Sequence, residues 1–115
     1  MTAIQRLDIG PRMSQAVVCG ETVYLAGQVN KDVADVTGQT AAVLKQIDDL
    51  LARAGSSKEK ILSATIYLAD VKSFADMNKA WDAWVSAGNC PARTTLEAKL
   101  AAPEYLVEVA VIAAK

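Results

Sequence analysis

The 115-residue chain contains no histidine. That excludes serine–histidine and cysteine–histidine nucleophilic catalysis and most zinc chemistry, which depend on imidazole as base or ligand. It has only two cysteines, Cys19 and Cys90, far apart and without metal or redox spacing. Two unpaired thiols in an intracellular protein is the reading taken, and a single disulfide is its alternative. Aromatic residues make up 5% of the chain, and 12 basic against 13 acidic residues leave a net charge of −1. With no basic run and no stacking platform, no nucleic-acid partner is expected. No apolar run is long enough to span a bilayer, so no membrane partner is expected either. Met1–Arg6 lacks the apolar core of a signal peptide, and a cytoplasmic location is therefore expected.

Apolar sequence is plentiful: 52% of residues are hydrophobic, with alanine and valine carrying much of it. The length fits one domain, residues 1–115, and an apolar excess in so small a unit points to buried subunit contacts. Residues 3–9 read as a weak strand closed by Gly10-Pro11. Ala16–Cys19 and Thr22–Ala26 read as a hairpin around Gly20-Glu21, with Gly27 marking close backbone approach. Val36 or Thr37 to Ala54 reads as a helix with Val43, Leu44, Ile47, Leu50 and Leu51 on its apolar stripe, Gly55 as its stop and Gly38 as a local penalty.

Ile61–Ala69 reads as a strand with Leu62, Ala64, Ile66 and Leu68 on one face. Ser73 and Asp76 resemble a capping box for a second helix running to about Ala87, which buries Phe74, Met77, Trp81, Trp84 and Val85. Asn78 lies on that apolar stripe. Arg93–Leu100 is a fifth strand, with Arg93, Thr95 and Glu97 on one face. Tyr105–Ala114 is a last strand, apolar on both faces, carrying Glu108 as its only internal charge. The order β-β-β-α-β-α-β-β predicts an α+β fold with two helices on one face of a mixed sheet. Nothing in the chain covers the other face, so that face is expected to pack against other subunits.

Two residues stand out for chemistry. Arg93 follows Pro91-Ala92 at a strand mouth, a rigid bidentate cation suited to carboxylates. Its alternative is a surface arginine paired with Glu97. Glu108 is a carboxylate in an apolar strand, a candidate for orienting water. Its alternative is an ion pair with Lys99 or Arg93. Asn78 satisfies a strand end or lines a cleft, and Arg12 supplies a second cation or is solvated.

The ordered segments Gly10-Pro11, Tyr24-Leu25-Ala26-Gly27-Gln28, Ile66–Asp70, Phe74–Asn78, Pro91-Ala92-Arg93 and Val107-Glu108-Val109 resemble the RidA/YjgF family across nearly the whole chain. Met77–Val85 is most similar to its YoaB-like branch. The resemblance implies a chorismate-mutase-like fold, a homotrimer, and a cleft at each subunit interface. It implies hydrolysis of 2-iminobutanoate- and 2-iminopropanoate-type imines and enamines to 2-keto acids and ammonia, with no cofactor and no metal. Arg93 would grip the carboxylate, Glu108 would position water, and Gly27 and Asn78 would line the cleft. Two positions depart from RidA itself. Arg12 stands where RidA has tyrosine, and Thr95 where it has cysteine, leaving a backbone N–H there to bind carboxylate. The competing reading is a non-catalytic trimer that senses small carboxylates. A ribonuclease reading is opposed by the charge balance and the missing histidine.

Overall fold

The computed structural model describes residues 3–115. Three strands open the chain as a meander: β1 (Ile4–Leu7), β2 (Ala16–Cys19) and β3 (Thr22–Leu25). Cys19 pairs with Thr22, so Gly20-Glu21 is a two-residue turn. Gly20 has φ of 61° while Glu21 stays at negative φ, as a hairpin turn with glycine in its first position requires. Helix α1 (Val36–Arg53) follows, then β4 (Ile61–Leu68), α2 (Phe74–Trp84), β5 (Ala92–Glu97) and β6 (Val107–Ala114).

The strands form one six-stranded mixed sheet in the order β1-β2-β3-β6-β4-β5. Only β4 and β5 are parallel, and α2 is the crossover that parallel neighbours need. Both helices cover one face, burying Val43, Leu44, Ile47 and Met77 against Ile66 and Val109. The other face carries Tyr24, Thr65, Tyr67, Glu108 and Ile112, and Tyr24 and Ile112 keep 46% and 37% of their surface exposed. The last strand is therefore buried on one side only within a single chain: Val107, Val109 and Val111 are covered, and the row of Ala110 and Ile112 is not. Among the described residues, no helix is long and apolar enough to cross a membrane.

Several local expectations are corrected. Leu62 is 55% exposed, because the ladder between β4 and β6 shifts between Ile61 and Ser63 and hands the core position to Ile61. Ser73 forms no capping box. Its hydroxyl donates to the Asp70 carbonyl at 2.6 Å inside a 3-10 turn at Val71–Ser73, and Asp70 caps that turn by accepting from the Lys72 amide. Helix α2 ends at Trp84 rather than near Ala87, since Val85 adopts an extended ψ of 139°. Lys58 Nζ takes up the freed Trp84 carbonyl at 2.6 Å. Phe74 is exposed rather than buried. The fifth strand stops at Glu97, and the last begins at Val107.

Gly38 is no mere penalty. A methyl group there would fall 2.4 Å from Val33 Cγ1, and the Gly38 amide donates to the N-cap carboxylate of Asp35 at 2.9 Å. Both cysteines are free, Cys19 half-buried and Cys90 exposed.

Candidate active site

Arg93 is positioned by the parity of β5. Its pairing with Ala64, and that of Thr95 with Ile66, places both side chains on the helix-covered face of the sheet. There the guanidinium meets α2. Nη1 donates to Asn78 Oδ1 at 2.8 Å, and the guanidinium carbon lies 5.1 Å from the Trp81 ring centroid and 5.7 Å from that of Phe74. Two aromatic faces and one amide hold a planar fork in place, at a strand on the sheet edge, with most of its five donors unspent. The position on Asn78 thus resolves in favour of arginine support rather than a strand end. Phe74 and Trp81 join the site as its aromatic backing, a role that the apolar stripe alone did not reveal.

Arg93 forms no pair with Glu97, whose carboxylate accepts instead from the Val71 amide at 3.0 Å. Thr95 lies two residues on, along the same face. Its hydroxyl is the one buried side-chain oxygen or nitrogen among the described residues with no hydrogen-bond partner. The same face of β5 thus carries a buried hydroxyl without a partner and a guanidinium with most of its donors unspent, both able to donate to an acceptor.

Glu108 sits elsewhere. It pairs with Tyr67 and faces the uncovered side of the sheet, so a single chain does not bring it to Arg93. No ion pair joins it to Arg93 or Lys99 among the described residues. It lies instead against Gly27. A Cβ on Gly27 would come within 2.1 Å of Glu108 Oε2, so the glycine leaves the space that the carboxylate occupies. Gln28, next along, is a buried polar residue that sequence reasoning missed as a site element. Its main chain bonds Val109 in both directions, at 2.8 and 3.1 Å, and so fixes Gly27 beside Glu108. Its amide donates to Gln15 Oε1 at 2.9 Å and accepts from Gln46 Nε2 at 3.2 Å. Gly27, Gln28, Gln15, Gln46, Asp8 and Asp49 line a cleft of about 370 Å³. A larger hollow of about 550 Å³ lies beyond the C-terminal ends of β4 and β5, between Glu97 and Tyr105, and contains none of the expected site residues.

Arg12 lies in the exposed loop between β1 and β2. The base of this loop is tied by Asp8, whose two carboxylate oxygens accept from Arg53 at 2.7 and 2.8 Å. These hydrogen bonds, more than the attraction of opposite charges, hold the Asp8 carboxyl below the usual carboxylate range.

The family model described as Endoribonuclease L-PSP matches residues 4–115. The chain belongs to the RidA/YjgF family. Among its family relatives, the RutC family protein YoaB of Escherichia coli K12 is 49% identical over 111 residues, 96% of this chain and 97% of that protein. A RutC family protein of Haemophilus influenzae is 45% identical over 112 residues, 96% and 97% of the two chains. Among solved structures of the family, a YjgF protein from Neisseria meningitidis superposes with a TM-score of 0.97 at 45% identity, over 98% of this chain and 95% of its own. The two-helix, six-strand arrangement is thus the chorismate-mutase-like fold of RidA/YjgF proteins, and the similarity to YoaB agrees with the reading of Met77–Val85.

Proposed function

We propose that the chain, as one domain in the cytoplasm, assembles into a homotrimer that hydrolyses 2-imino acids and their enamine tautomers to 2-keto acids and ammonia. The observation that carries this is the Arg93 pocket: a guanidinium fixed by Asn78 and two aromatic rings, next to an unpartnered buried hydroxyl on Thr95. Both features suit a carboxylate, which accepts up to four hydrogen bonds.

Since Arg93 and Glu108 occupy opposite faces of one sheet, a site that uses both takes them from two copies. One subunit's Arg93 lies on the outermost strand, β5, and meets the neighbour's open face, where Glu108 and Gly27 lie together. The apolar residues on that open face, Tyr24, Ala110 and Ile112, support its burial in the assembly.

The imine carbon is already electrophilic, so anchoring and an oriented water supply most of what the reaction needs. Arg93 and Thr95 hold the carboxylate. Acting on the protonated imine, Glu108 accepts a proton from water as the water oxygen bonds to the imine carbon, giving a neutral carbinolamine. Return of that proton to nitrogen makes it an ammonium leaving group, and the C–N bond breaks as Glu108 takes the hydroxyl proton, releasing ammonia and the keto acid. Asn78 and Gly27 line the cleft. The family model's description names endoribonucleases, but 12 basic against 13 acidic residues and the missing histidine give this chain little means to bind or cleave RNA.

The test is release of keto acid from 2-iminopropanoate or 2-iminobutanoate generated in situ. Arg93→Ala should lower kcat/KM by about 30- to 1,000-fold, the equivalent of ~2–4 kcal/mol for a lost charge-assisted anchor. A native rate in that variant would remove Arg93 from the site. Saturable keto-acid binding to the native protein without turnover of any imine would instead identify a carboxylate sensor.

A further inference from the structure

The guanidinium of Arg93 rests on a longer framework than the three side chains that touch it. Phe74, Asn78, Trp81 and Trp84 recur along α2 at helical spacing and share one face of it. The Trp81 ring beside Arg93 packs in turn on the Trp84 ring, with centroids 5.4 Å apart and planes tilted by 55°. Beyond Trp84, Lys58 Nζ lies 5.5 Å from the centroid of that ring. The series therefore runs cation, ring, ring, cation, from the turn before β4 to the strand that carries the anchor.

Trp84 is the exposed end of that series. It is the last residue of α2, and Val85 after it leaves the helix in place of the glycine that commonly closes one. A terminal turn of this kind stays ordered through tertiary contacts, and two are present. The Trp84 indole Nε1 donates to Asp48 Oδ2 on α1 at 2.9 Å, and the Trp84 carbonyl accepts from Lys58 Nζ at 2.6 Å. Asp48 enters no ion pair among the described residues, so the indole is the partner its carboxylate holds. An indole has a single N–H, and fixing its direction fixes the plane of the ring. The Trp84 plane sets the seat of the Trp81 ring, and that ring sets the seat of the guanidinium.

A planar cation grips a carboxylate with two parallel hydrogen bonds only when its own plane is set. An arginine left free to turn loses part of the binding energy to rotamer entropy. Resting on the reaction proposed above, we propose that Asp48 and Trp84 are positioning residues for Arg93. The α1 carboxylate fixes the Trp84 ring, and through Trp81 that ring holds the carboxylate anchor in its bidentate orientation. Neither residue touches the substrate. Their loss weakens the grip on the carboxylate and leaves the chemistry at Glu108 in place.

The variants are Trp84→Phe, which keeps a ring and loses its donor, Asp48→Ala, and Asp48→Asn, which keeps an acceptor. On 2-iminopropanoate generated in situ, Trp84→Phe and Asp48→Ala should each raise KM by about 2- to 10-fold, the range for returning freedom to one long side chain, with kcat within about twofold of native. Asp48→Asn should recover most of the native KM, and combining Trp84→Phe with Asp48→Ala should do no more than either alone. A second readout needs no turnover. The Arg93 Nε–Hε resonance, assigned by its loss in Arg93→Lys, feels the ring current of Trp81 and should move toward the value of an exposed arginine in both single variants. A native KM with an unmoved resonance in Trp84→Phe overturns the assignment and leaves the reaction standing. So does a fall in kcat alone that follows lost thermal stability. If native protein hydrolyses no imine, the reaction falls, and the Arg93 resonance decides the positioning: a shift in both single variants supports it, and none overturns it.

Discussion

Replacing Gly27 by alanine separates the site from the fold. The added methyl would lie 2.1 Å from Glu108 Oε2 and 2.9 Å from its Cδ. Ordinary contact between such atoms is about 3.5 Å, so the carboxylate must retreat by about 1 Å or more. Glu108 can do so by rotating its own side chain toward the uncovered face, with no movement of backbone. Gly27 does not hold a left-handed φ, so alanine is sterically compatible there and narrows the unfolded ensemble by about 0.4–1 kcal/mol. The thermal midpoint of Gly27→Ala should therefore stay level or rise by a few degrees. Catalysis should respond very differently, because a displacement of about 1 Å in a water-positioning group can cost on the order of a hundredfold in rate. The assay is kcat on 2-iminopropanoate at saturating substrate, beside a melting curve on the same preparation. Activity within about twofold of native would refute the role of Glu108's position, and activity lost in step with the melting temperature would assign Gly27 to the fold alone.

Three further outcomes follow from the packing and electrostatics. Met77 is fully buried between α2 and the sheet, and Met77→Ala should cost about 2–5 kcal/mol in chemical denaturation. Asp35→Ala removes the side chain that caps α1 through the Gly38 amide and should cost about 1 kcal/mol in the same measurement. Asp8 titrates below its unfolded value because Arg53 donates two hydrogen bonds to it. The stabilising effect of that pair is present at neutral pH and is lost as pH falls through the folded-state value, below the ordinary carboxylate range. Amide protection across the Asp8–Gln15 loop, measured against the intrinsic exchange rate at each pH, should fall there in native protein. Arg53→Ala should already show the lower protection at neutral pH, and equal protection in the two proteins would contradict the clamp.

Much of the fold is written locally. The period of Val43, Leu44, Ile47, Leu50 and Leu51 places α1, Asp35 and Gly55 bracket it, and Gly20-Glu21 sets the register of β2 and β3. What escaped local reading depends on distant partners. Trp84 ends α2 early with its carbonyl taken by Lys58, 26 residues back in the chain. Leu62 leaves the core through a ladder irregularity against β6, which no property of residues 61–69 announces. Phe74 follows the apolar stripe of α2 yet lies exposed beside Arg93, an association made across the crossover.

The site divides in the same way. The alternation of Arg93, Thr95 and Glu97 was legible from β5 alone, as was the row of Glu108 with Ala110 and Ile112 from β6. That these rows lie on opposite faces follows from the pairing of β4 with both strands, which is information spread over the chain. Gln28 carried one usable signal, a long amide directly after a glycine that ends an apolar strand. Its partners Gln15 and Gln46, 13 and 18 residues away, carried none.

Arg93→Ala and Glu108→Ala proteins, each expected to be strongly impaired alone, can be unfolded, mixed one to one and refolded together. If each cleft takes Arg93 from one subunit and Glu108 from its neighbour, every mixed trimer has one intact cleft, and random assembly restores about a quarter of native imine hydrolysis. No recovery above the separate variants, in trimers shown to contain both chains, would contradict a shared site.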